Sequence, residues 1–168
     1  MRPVQGRIFL YSMKYRRLTK EQFEELHKEF INFLATQSIT AEEWKTIKTK
    51  QPKVAEEEMD IFSDLVWEGV LGKVEYLENI APQHLYLFQV KENTIALIGL
   101  KINTESVDLT TREGFSWLRE HLMDDEVELF NAEKEVEGDK NLNIFELIEK
   151  GANITKGELF KYFEQLIG

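Results

Sequence analysis

Apolar residues recur three and four positions apart at Phe23, Leu26, Phe30, Phe33 and Leu34, a spacing that predicts one helix from about Lys20 to Ala35. Its start is written in the chain. Leu18-Thr19-Lys20-Glu21-Gln22-Phe23, Ile39-Thr40-Ala41-Glu42-Glu43-Trp44 and Ile154-Thr155-Lys156-Gly157-Glu158-Leu159 share one formula: apolar, Thr, two residues, Glu or Gln, apolar. The Thr hydroxyl accepts from the backbone N–H three residues on, the Glu or Gln reaches back, and the flanking apolar pair closes as a staple. Asn143 with Glu146 and Thr110 with Glu113 add two further expected caps. A second helical region begins after Thr40, is interrupted near Pro52, and resumes through Met59, Phe62, Leu65, Val66 and Val70, with Gly72 placed to cap it.

The period changes between residues 83 and 103. His84 to Val90 and Ile95 to Ile102 are apolar at nearly every position and are separated by Glu92-Asn93-Thr94, which predicts a β-hairpin covered on both faces or central in a small sheet. Val107-Asp108-Leu109 is expected as a short third strand, and a helix from Thr110 carries Phe115, Leu118 and Leu122 inward. Glu126 to Glu137 fits a short strand. Helices at about Ile144 to Lys150 and Lys156 to Ile167 finish the pattern, which is α+β: N-terminal helices, a small mainly antiparallel sheet built on the hairpin, then C-terminal helices.

At 168 residues and 42% hydrophobic, the chain suits a single domain with one sizeable core. No apolar run approaches the roughly 18 residues of a membrane span, and no signal-peptide core is present, so a cytoplasmic protein with no membrane partner is expected. Zero cysteines exclude disulfides, thiolate metal sites and cysteine nucleophiles. Charge is divided unevenly. Arg2, Arg7, Lys14, Arg16, Arg17 and Lys20 give the first twenty residues six basic side chains and no acidic one; the other fifteen Lys and Arg stand against all 31 Asp and Glu, about −16 for the remainder. Residues 1–17 therefore read as a basic segment, of which 1–12 precede an alternative start at Met13, and 18–168 as one acidic domain. Lys14, Arg16, Arg17 and Lys20, with Tyr11 and Tyr15 interleaved, are the candidate binding residues. They sit against the folded body, where its own carboxylates compete with any partner.

Other chemistry is thin. Glu24 and His27 make a Glu-x-x-His step, but a carboxylate di-metal bundle needs two such steps and further Glu. His84 and His121 have no nucleophile or Asp partner nearby in sequence. Asp139, Asn141 and Asn143 start like a calcium loop, yet Ile144 stands where Gly makes the turn and Lys150 where a bidentate Glu is required. Glu56-Glu57-Glu58 with Asp60, Asp124-Asp125-Glu126 and Glu133 to Asp139 read as solvated faces that oppose nucleic-acid binding by the body. No metal and no cofactor is expected.

From Met13 onward the chain resembles a family of small cytoplasmic Bacteroidota proteins of unknown function. The likeness lies in Met13 to Thr19 with the helix after it, in Phe62-Ser63-Asp64-Leu65-Val66-Trp67-Glu68-Gly69-Val70-Leu71, and in Ile154 to Leu159. The resemblance implies no activity. A histidyl-tRNA synthetase assignment does not fit, because the chain is far too short for that catalytic domain and none of its ATP-binding arginine motifs can be placed. The expected role is a non-enzymatic binding or adaptor protein with a protein partner, whose basic segment is dispensable for folding. The alternatives are an RNA- or ribosome-associated factor using that segment, and a small enzyme in which His84, His121 and distant carboxylates converge.

Overall fold

The computed structural model describes residues 11–167, which group by their contacts into two compact units meeting at Val70 and Leu71. The described chain has seven helices and a five-stranded antiparallel sheet, with helices toward both ends, an α+β fold.

The first unit holds α1 (Lys20–Glu25), α2 (His27–Thr36), α3 (Ala41–Lys50) and most of α4 (Pro52–Leu71). Thr19 caps α1 with the complete reciprocal box, its side chain accepting from Gln22 N–H while the Gln22 side chain accepts from Thr19 N–H. Thr40 caps α3 by accepting from Glu43 N–H, but the Glu43 carboxylate takes the Thr40 hydroxyl, not its amide. Pro52 opens α4, where a missing N–H costs nothing because the first-turn amides have no helical partner. The single helix expected from Lys20 to Ala35 is broken at Leu26. Ten residues of straight helix span about 15 Å, and the break lets Phe23 and Phe33 both reach the Phe62 ring, at 6.0 and 5.4 Å between centroids. Phe30 joins them edge-on at 5.0 Å and meets Trp44 at 5.1 Å, over fully buried Leu34 and Ile47.

In the second unit, β1 (Tyr76–Ala81), β2 (His84–Val90), β3 (Thr94–Ile102), β4 (Val127–Glu135) and β5 (Asn153–Thr155) form a sheet in the order β4-β3-β2-β1-β5. The predicted hairpin is β2 and β3, paired from His84 with Lys101 to Val90 with Ile95. Leu85, Leu87, Ile98, Leu100 and Ile102 alternate onto one face and are buried with Leu118 of α5 (Arg112–Glu120) and Phe160 and Phe163 of α7 (Glu158–Ile167). On the opposite face the Phe130 ring lies over Gly99, its cross-strand partner; any side chain at 99 would collide with it.

Several expected boundaries move. β1 and β5 were not anticipated. Val107 to Leu109 is not a strand but a buried loop, held where Leu109 N–H donates to Pro82 O and the Gln83 amide donates to Val107 O. Thr111, not Thr110, caps α5, because Thr110 is drawn into a turn on the Asp108 carboxylate. Asp139, not Asn143, caps α6 (Lys140–Glu149), and Asn143 lies in the first turn with its side-chain amide donating to Glu137 O and Asp139 O. Thr155 ends β5 instead of capping a helix, since Gly157 takes φ +83° against the Tyr76 ring and delays α7 to Glu158. α4 does stop at Leu71, although Gly72 does not use the left-handed conformation.

Candidate binding groove and the strap on α4

Asp60, Asp64 and Glu68 are four apart and share one face of α4, with Glu57 at its start. Like charges at that spacing repel by a few tenths of a kcal/mol per pair. Residues 11–18 supply the donors that offset this. The Asp64 carboxylate, 5% exposed, accepts from the Tyr11 hydroxyl at 2.6 Å, the Lys14 amide at 2.7 Å and the Tyr15 amide at 2.9 Å. Leu18 N–H donates to buried Ser63 Oγ at 3.0 Å, and Trp67 Nε1–H donates to Arg16 O at 3.1 Å. The Tyr15 hydroxyl also donates to Glu68.

Three of the four predicted binding residues lie on this strap. Arg17 Nε donates to Asp60 at 2.6 Å, which holds the guanidinium's pKa above its ordinary value, and Glu56 stands 3.9 Å from Nη1. Lys14 pairs with Glu68 at 3.3 Å, and the Arg16 guanidinium lies 5.0 Å over the Trp67 ring. Part of the acidic cluster at 56 to 60 therefore meets the chain's own cations instead of forming a solvated face, and Glu58 is wholly buried with the Gln37 amide at 2.7 Å. The segment is bonded into the first unit, and removing it would strip Asp64 of three donors.

Burial raises Tyr11 and Tyr15 from 10 to about 12, helped by the hydrogen bonds to Asp64 and Glu68 respectively. A phenol whose pKa is raised on folding stabilises the native state fully below the unfolded value near pH 10, and that contribution is lost as pH rises toward the folded value near 12. The strap is expected to detach across that window. Phenolate absorbance should show a late step that disappears in the Tyr11→Phe, Tyr15→Phe double variant.

Lys20, the fourth predicted residue, faces elsewhere. It lines a groove of about 520 Å³ with His27 of α2 and Lys45 and Lys48 of α3, over an aromatic floor of Phe23, Phe30 and Trp44. Phe30 and Trp44 are buried and Phe23 half-buried, whereas the three lysines and His27 are exposed. Glu24 is the single carboxylate among the lining residues. Lys45 and Lys48 are three apart and so share a face of α3. No motif near Lys20 announced them, because they come from a helix 25 residues further on. The groove is thus a cationic rim around an apolar floor in a chain of net charge −10.

The histidines serve different neighbours. His84 stacks on Tyr86 with centroids 5.8 Å apart, and His121 stacks on Trp117 at 4.3 Å with Nδ1 2.6 Å from Trp117 O. Neither ring touches the other. Among the described residues no group of three or more His, Asp or Glu is arranged to hold a metal ion, and no helix is long and apolar enough to cross a membrane.

The model of one family, described as a family of unknown function (DUF6495), matches residues 13–168. No curated protein and no solved structure matches the chain.

Proposed function

We propose that this chain, which belongs to that family of unknown function, is a non-enzymatic binding protein that takes an acidic, amphipathic segment of another protein into the groove between α1, α2 and α3. The carrying observation is the pairing of an aromatic floor with three exposed lysines, Lys20 of α1 and Lys45 and Lys48 of α3. Apolar side chains three and four apart on a bound helix would enter the floor, and carboxylates on its flanks would meet Lys20, Lys45 and Lys48. Charge of one sign against charge of the other also steers encounter and discourages wrong partners. The cytoplasm is the compartment that goes with this reading, supported by a sequence without cysteine.

A labelled 15-residue helical peptide with Leu at three- and four-residue spacing and Glu elsewhere tests it by fluorescence anisotropy. Binding should weaken with added salt and fall at least tenfold in the Lys45→Glu, Lys48→Glu double variant. Equal binding by that variant, or by a peptide with Lys in place of Glu, rejects the groove. Tighter binding of a single-stranded RNA oligonucleotide would instead favour a nucleic-acid partner.

A further inference from the structure

The sheet has one long open edge. β4 pairs with β3 through nine residues, from Val127 with Ile102 to Glu135 with Thr94, and no other described strand lies beyond it. In an antiparallel ladder, residues alternate between those bonded to the neighbour and those whose N–H and C=O point away. The phase is fixed by the flanking bonds from Asn103 N–H to Glu126 O and from Val136 N–H to Asn93 O. Even-numbered residues of β4 therefore bond to β3, and Leu129, Asn131, Glu133 and Glu135 turn their backbone groups outward. Two large apolar side chains stand open at this edge, one on each face. Leu129 is 38% exposed although its partner Leu100 is 1% exposed, and Phe130 is 44% exposed on the other side.

From these features we infer that β4 is the docking edge for an extended basic segment of a different protein, added as a sixth, antiparallel strand. Charge selects the occupant. β4 carries Glu128, Glu133 and Glu135 against its own Lys134; Glu133 already pairs with Lys91 of the neighbouring turn at 2.9 Å and Glu128 accepts from the Asn103 amide, which leaves the edge net acidic with Glu135 its open carboxylate. A second copy fits less well: antiparallel pairing centred on Asn131 sets Glu128 against Lys134 but Glu133 against Leu129 and Glu135 against Val127, and parallel in-register pairing sets each Glu beside itself. A partner running antiparallel meets Glu135 and Glu133 first and Phe130 and Leu129 three positions later. The complementary pattern, from its N-terminus, is basic, any, basic, any, any, apolar, apolar. Backbone bonds would supply affinity and these cross-strand pairs specificity.

The octapeptide Arg-Val-Lys-Thr-Thr-Ile-Val-Ser is the probe, read by amide hydrogen exchange on the full chain. It should slow exchange at Leu129, Asn131 and Glu133 at least tenfold while leaving β2 amides unchanged. Asn131→Pro removes one outward N–H and none of the bonds to β3, so it should abolish the protection at Leu129 and Glu133 with β3 still protected. Equal protection by the peptide with Glu in place of Arg and Lys overturns the inference, as does protection that survives Asn131→Pro. Protection that appears on concentrating the chain alone assigns the edge to a second copy and overturns it too.

Discussion

Asp64→Ala is expected to release residues 11–18 from α4 and to lower the stability of the first unit by about 3 kcal/mol. The substitution leaves the Lys14 and Tyr15 amides and the Tyr11 hydroxyl without their acceptor. The bonds from Trp67 to Arg16 O and from Leu18 to Ser63 then lie on a segment no longer held by Asp64. Denaturation followed by tryptophan fluorescence should show an earlier midpoint. Trypsin should cut after Lys14, Arg16 and Arg17 at native conditions, where the wild-type chain is expected to resist. Arg17→Ala is the control of opposite scale: its ion pair with Asp60 is half-exposed, so the loss should stay below about 1 kcal/mol. Equal losses from the two variants would mean that charge, not backbone capture by Asp64, holds the strap.

The second large effect reverses a common rule. Gly to Ala inside a helix ordinarily stabilises by about 0.8 to 1 kcal/mol. Gly69 on α4 has nothing within 4 Å of an added methyl group, and Gly69→Ala should follow that rule. Gly114 on α5 should not. A Cβ there would lie 1.8 Å from the Asp108 carbonyl oxygen and 2.4 Å from its carbon, and that loop is pinned because Leu109 is buried and bonded to Pro82 O. Backbone cannot swing aside as a side chain does, so Gly114→Ala should cost about 3 kcal/mol. Urea midpoints of the two variants, moving in opposite directions, are the check; parallel movement would mean that the loop yields.

What could be read from the chain follows from how local each signal is. The β2–β3 hairpin announces itself because two continuous apolar runs flank a polar turn, and both strands are central in the sheet, buried on one face and largely half-buried on the other. β1 is nearly silent for the same physical reason inverted: Glu78 sits on the face shared with Leu87, where burial and the nearby Glu158 raise its pKa, so no face of β1 is uniformly apolar. Val107 and Leu109 alternate as a strand would, but a buried loop closed by side-chain and backbone bonds from Pro82 and Gln83 satisfies the same pattern. The caps at Thr19 and Thr40 were legible because every bond they need lies within three residues. Those assigned to Thr110, Asn143 and Thr155 slipped where a nearby Asp or a left-handed Gly offered the backbone a better start. For the surface, Lys20 could be named in advance but its companions on α3 could not. For the strap, competition from the body's own carboxylates is legible in the charge split, but which carboxylates take part is not, because they lie 43 to 54 residues away on α4.

The strand order sets a schedule for biosynthesis. β1, β2 and β3 follow one another and can pair as soon as residue 102 is made, whereas the edge of β1 waits for β5 at residues 153–155. Phe160 and Phe163, which close the apolar face of Leu85, Leu87, Ile98 and Leu100, are made after every strand. Val107, Leu109 and Leu118 can cover part of that face early, but on the ribosome it waits some sixty residues after β3 for Phe160 and Phe163 to close it. At translation speeds of about 5–20 residues per second this is several seconds of exposure, a window in which a holding chaperone would matter most.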